Sequence, residues 1–116
     1  INGKILGKPH SEEEAIEMLT TLSNTTHQVV TGVTFIYNDI IKTIHEITEV
    51  TFSKLSTEQI KTYINEENVY DKAGAYAIQG TFCKYITKIN GDYYNVMGLP
   101  IARVYKEIEG YKNEIQ

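Results

Sequence analysis

Two long runs rich in β-branched and aromatic residues, THQVVTGVTFIYN (26–38) and IIKTIHEITEVTFSKL (40–55), follow one another with Asn38-Asp39 at their junction. Such side chains favour extended backbone, and Asn and Asp suit a tight reversal. The runs therefore predict two antiparallel strands. A capped helix is expected on either side of them. Before the strands, Ser11 stands three residues ahead of Glu14 as a capping box, and Ala15, Ile16, Met18, Leu19 and Leu22 form one helical stripe. After them, Ser56 and Gln59 repeat the signature, with Ile60, Tyr63 and Ile64 as the buried positions.

The remaining segments complete an alternating pattern. INGKILGKP (1–9) reads as the tip of a hairpin, with an Asn-Gly turn, an apolar pair and a Gly-Lys-Pro loop. TFCKYITKINGDYYNVMGLP (81–100) predicts a strand, an Asn90-Gly91 turn and a returning strand that ends at Gly98 and Pro100. Pro100 then opens a last helix with Ile101, Val104, Tyr105 and Ile108 inward. This order describes an α/β protein, a mixed twisted sheet flanked by helices, and neither a bundle nor a sandwich. Four strands are few for this many helices, so further strands are expected ahead of residue 1.

Composition narrows the function classes. A chain of 116 residues with 41% hydrophobic residues accommodates one domain, 1–116. Its net charge of −4, with Lys and Arg scattered singly, argues against a protein that coats a nucleic-acid backbone. No apolar run approaches the length of a membrane span. The single cysteine, Cys83, excludes an internal disulfide and is expected to be a small buried apolar side chain in a reducing, cytoplasmic compartment. The first residue is Ile1, so a native N-terminus and any signal on it are not read from this chain.

The segment DKAGAYAIQG (71–80) is too polar for a core helix and too definite in composition for a linker. Lys72 and Gly74 can form a small-residue turn that brings backbone and an ammonium to an anionic ligand. The alternative is a loop leading into a helix, with Asp71 as its cap. Lys8, held between Gly7 and Pro9, is either a second cation on a rigid loop or an idle surface lysine. The Gln79 amide carries the donor and acceptor that match a pyrimidine ring's N–H and neighbouring carbonyl; its bland reading is a surface glutamine. His10, His27 and His45 lack metal-ligand spacing, and no metal or acid-base role is expected of them. Glu12 to Glu14 complement a helix dipole, and the nine tyrosines show no stacking period for single-stranded nucleic acid.

Taken in order, ILGKP (5–9), HSEEEAIEMLTTLSNTTHQVVTGV (10–33), DKAGAYAIQG (71–80) and INGDYYNVMGLPI (89–101) resemble the Maf family of septum-formation-inhibitor-like nucleotide pyrophosphatases. Asn24 departs from the glycine common in the family's LSG, and Ala77 from the glycine of AYGIQG. The resemblance implies a Maf/ITPase-like sheet and an enzyme that cleaves nucleoside triphosphates between the α and β phosphates, with magnesium or manganese. The AYxIQG form resembles the branch acting on dTTP and UTP. Lys8 and Lys72 then bind the triphosphate, Gln79 reads the base, and Asp71, Gly74 and Gly80 support the loop. A homodimer is also implied.

The family's serine-proline-arginine-arginine segment, acidic metal site and aspartate-threonine pair have no counterpart in this sequence. The resemblance thus implies the C-terminal portion of a Maf domain, without its N-terminal strands, its general base or most of its metal ligands. Such a portion is expected to be inactive alone. Two other classes stay open: a non-catalytic pyrimidine-nucleotide-binding module, and a cell-division interaction element.

Overall fold

A computed structural model of the chain describes residues 5–115, with side chains as far as Lys112. The expected Asn2-Gly3 turn lies outside the described residues. Four helices and three strands follow in order: α1 (Glu12–Leu22), β1 (Thr26–Tyr37), β2 (Ile40–Phe52), α2 (Thr57–Glu66), β3 (Ile86–Asn90), α3 (Tyr93–Met97) and α4 (Ile101–Ile115). Short 3-10 turns stand at Ala73–Ala75 and Thr81–Tyr85. The sheet has the order β1-β2-β3. No helix among the described residues is long and apolar enough to cross a membrane.

Local chemistry explains the elements that the sequence foretold. The Ser11 hydroxyl accepts a hydrogen bond from the Glu14 amide at 3.1 Å, and three acidic residues occupy the first turn of α1. Ser56 and Gln59 form the complete reciprocal box at α2. Thr26 meets Thr51 and Thr34 meets Thr43 through their hydroxyls, at 2.8 and 2.9 Å, so one register runs the length of the hairpin. Asn38, at φ 51°, takes the left-handed conformation its turn requires. Asn24 does the same at φ 57°, where α1 gives way to β1, which accounts for glycine being the common residue there in the resembling family.

The described chain divides into two compact units, and both hairpin strands pass from one to the other. The described residues of Ile1–Gln28 and Glu49–Ile89 form the first; those of Val29–Thr48 and Asn90–Gln116 form the second. In the first, α1 packs on α2, and Leu19, Leu22, Val50, Phe52, Ile60, Tyr63, Val69 and Phe82 make the core. In the second, the fully buried Asn95 ties α3 to the strands.

Three expectations are corrected. The returning strand after Asn90-Gly91 is the helix α3, so the sheet has three strands and not four. Its start is decided by Asp92, whose carboxylate accepts from the Tyr94 and Asn95 amides at 2.8 and 3.3 Å. Gly91, at φ 129°, lies so close to Thr48 that a Cβ would stand 3.1 Å from its Cα. The apolar stripe of α4 is not inward: Ile101, Tyr105 and Ile108 are 53%, 63% and 43% exposed. The helix instead meets β2 through charge, with Arg103 on Glu46 at 2.9 Å and Lys42 on Glu107 at 3.0 Å, while Tyr111 stacks on Tyr37. Cys83 is exposed, because the turn that sends Phe82 into the core directs its neighbours outward.

Candidate functional site

The segment 71–80 folds as an ordered loop in the first unit. Asp71 does not cap a helix: the 3-10 turn follows Lys72 and has no side-chain cap. The Lys72 ammonium, half-buried, donates to the Asn68 carbonyl at 2.8 Å and to the Asp71 carboxylate at 2.9 Å. The Asp71 carboxyl is held below the usual carboxylate range, first by that hydrogen bond and then by the positive charges of Lys72 and Lys8. Both lysines thus act electrostatically on one exposed carboxylate. The Gly74 amide donates to the Gly7 carbonyl at 3.1 Å, which ties the loop to the segment that carries Lys8.

Two residues of the loop hold left-handed backbone, Gly74 at φ 76° and Ala75 at φ 68°. A Cβ at Gly74 would meet only ordinary contacts, so glycine serves the conformation there and not the space. Ala75 is fully buried in that conformation, strain of about 1–2 kcal/mol that the surrounding contacts must offset. Beyond it, Tyr76 and Ile78 turn into the core, while Gln79 and Gly80 face solvent. Gly80, at φ 87°, turns the chain into the second 3-10 turn. The Gln79 amide makes no side-chain hydrogen bond among the described residues and is free to meet a ligand.

The anchors of the loop lie outside it and carry no local signature. His27 of β1 places Nε2 2.7 Å from the Tyr76 hydroxyl, and the Tyr63 hydroxyl of α2 accepts from the Ala77 amide at 3.2 Å. Phe52 packs edge-on against both His27 and Tyr76, with ring centroids 4.9 and 4.7 Å away. Burial raises the Tyr63 and Tyr76 hydroxyls above the ordinary phenol range, so both stay protonated at neutral pH. The one sequence signal for His27 is its place on the inward face of β1.

Burial lowers the His27 pKa from 6.5 to about 4. The unfolded chain therefore binds the extra proton first as pH falls. The stability that His27 contributes is fully present above pH 6.5 and is lost as pH falls toward 4, by about 2–3 kcal/mol in all. Denaturant unfolding between pH 7.5 and 4 should show that loss in excess of a His27→Gln variant; parallel curves would contradict it.

Metal chemistry finds no seat in this loop. Among the described residues no group of three His, Cys, Asp or Glu side chains could hold an ion, and Asp71 is already engaged by Lys72. These residues alone do not fit a divalent-cation site. What the loop and the Lys8 segment tied to it offer is two ammonium groups, turn backbone and a free amide, a set suited to binding an anion that carries a hydrogen-bonding ring.

Comparison with known proteins bears on that set. The pattern of the Maf-like protein family matches residues 1–111. A protein of Clostridium perfringens named dTTP/UTP pyrophosphatase is 50% identical over 112 residues, which cover 95% of this chain and 58% of that protein. Proteins of the same name from Lachnoclostridium phytofermentans and Bacillus cereus are 49% and 47% identical, covering 93% and 97% of this chain and 57% and 59% of theirs. The chain thus spans less than two thirds of the length of these relatives. With nearly its whole length matched by the family pattern and half its residues shared with such relatives, the chain belongs to the Maf-like protein family.

Proposed function

We propose that this chain is the nucleotide-holding, C-terminal portion of a single-domain nucleoside triphosphate pyrophosphatase. The whole enzyme converts dTTP or UTP and water to the nucleoside monophosphate and pyrophosphate. The observation that supports this reading most directly is the hydrogen bond from the Gly74 amide to the Gly7 carbonyl, which ties the loop that carries Lys72 to the segment that carries Lys8. Two cations so placed would stabilise the charge that develops on the leaving pyrophosphate. On binding, the polyphosphate takes over from Asp71 as the partner of Lys72. Gln79 pairs with the N–H and carbonyl of the thymine or uracil ring, and Asp71, Gly74 and Gly80 shape the loop that presents it. The divalent cation, magnesium or manganese, and the general base are not assigned to the described residues. A homodimer in the cytoplasm and a role in clearing unwanted nucleotides complete the proposal.

Binding and pyrophosphate release from dTTP, UTP, CTP and 7-methyl-GTP, measured for this chain beside a full-length relative, test the reading. The chain should bind dTTP and UTP without turning them over. Gln79→Ala should lower the preference for them by about 10–100-fold, the cost of an unmatched hydrogen-bonding ring edge. Lys8→Ala and Lys72→Ala should weaken all four nucleotides alike. Absence of binding by the chain would refute the role given to these residues. Binding without turnover by the relative as well would favour a non-catalytic module.

A further inference from the structure

Gln79 can discriminate a base only if its backbone is held still, and its own side chain does nothing to hold it. The stretch between the strained Ala75 and the exposed Gln79 is fixed instead by Tyr76, Ala77 and Ile78. Of these, Tyr76 is inserted deepest in aromatic packing, against Phe52 and Phe82, and its hydroxyl meets His27 Nε2 at 2.7 Å. Both residues are more than nine-tenths buried, so water does not readily replace either partner. Among the described residues His27 Nδ1 is buried without a hydrogen-bond partner, which a residue present only for packing would not need to tolerate. A leucine would fill the strand position beside Phe52 with no polar atom of its own, but it would leave the buried Tyr76 hydroxyl unpaired.

We propose that His27 and Tyr76 form a latch that positions the Gln79 loop and so sets base selectivity, His27 acting as a positioning residue through Tyr76. The inference rests on the reading of Gln79 as the base-contacting group. Phe52, packed on the imidazole from β2, is uncharged, and the partner on the loop side is a neutral hydroxyl, so the latch closes between neutral groups. Losing it frees the stretch between Ala75 and Gln79 while Lys72 keeps its contacts to Asn68 and Asp71. Selectivity for the base should fall, and affinity for phosphate should not.

The experiment compares dTTP, GTP and inorganic tripolyphosphate as probes, with binding measured on this chain at pH 7.5. Tyr76→Phe keeps the ring and removes the hydroxyl. It should cut the dTTP-to-GTP affinity ratio by about tenfold, the worth of one buried hydrogen bond, and leave tripolyphosphate affinity unchanged. His27→Gln, which retains a hydrogen-bonding group, should keep most of the ratio; His27→Leu should lose it. The double variant of Tyr76→Phe with His27→Leu should be no worse than either single one. Amide exchange at Ala77 to Gly80 should quicken in Tyr76→Phe but not in the core of α1. An unchanged ratio in Tyr76→Phe and His27→Leu, beside a wild type that discriminates, overturns the latch alone. A wild type that binds both nucleotides equally ends the reading of Gln79 and the latch's selectivity role with it.

Discussion

Phe82→Ala lowers the unfolding free energy of this chain by about 3–5 kcal/mol, the range for truncating a buried aromatic ring. Phe82 is 1% exposed. Its ring centroid lies 4.9 Å from that of Phe52 on β2, 4.8 Å from Tyr63 on α2, and 5.3 Å from both Tyr76 and Tyr85. Those four rings come from four different segments, so no single neighbour can shift to fill the space that alanine would leave. The loss combines the transfer of the ring to water with contacts forfeited around the cavity. Phe82→Leu, which keeps most of the volume, should cost no more than about half as much. Urea unfolding measures both, and a loss below about 1 kcal/mol for Phe82→Ala would show that the cluster collapses around the gap. The same variant should disturb nucleotide binding, since Tyr76 of the loop packs on Phe82.

How far the sequence foretold this arrangement depends on whether the deciding contact is local. α1, α2 and the hairpin were legible because a cap three residues ahead of its partner, a helical stripe and a two-residue turn all act within one or two turns of chain. Asn90-Gly91 was misleading for the opposite reason. The pair serves a hairpin turn and a helix start equally well, and the choice is made by Asp92 together with Thr48, 44 residues away. In α4 the apolar period was real, but period does not say which face meets the neighbour. Arg103 and Glu107 took the strand side through ion pairs with Glu46 and Lys42. The loop 71–80 was legible as chemistry, with Lys72, its glycines and its glutamine. Its anchors were not, since His27 and Tyr76 stand 49 residues apart and nothing in the stretch around either one says that they meet.

Asn95 tests the nonlocal half of that account. It is fully buried on a five-residue helix too short to persist by itself, and its Nδ2 donates to the carbonyls of Val29 and Glu46 at 3.2 and 3.1 Å and to the Thr48 hydroxyl at 3.1 Å. One amide group therefore joins α3 to both β1 and β2. Asn95→Ala leaves those acceptors short of a donor inside the fold and should cost about 2–3 kcal/mol. Asn95→Asp is nearly identical in shape, yet it turns the donor into an anion facing two carbonyl oxygens. Repulsion and desolvation both oppose it, and the loss at pH 7 should equal or exceed that of alanine. The aspartate variant should regain stability as pH falls, because a protonated carboxyl can again donate one hydrogen bond; the alanine variant should not. Chemical unfolding of the two variants at pH 7.5 and 5 separates these cases. A tolerated aspartate at pH 7.5 would mean that shape alone, and not the direction of the hydrogen bonds, holds α3 against the strands.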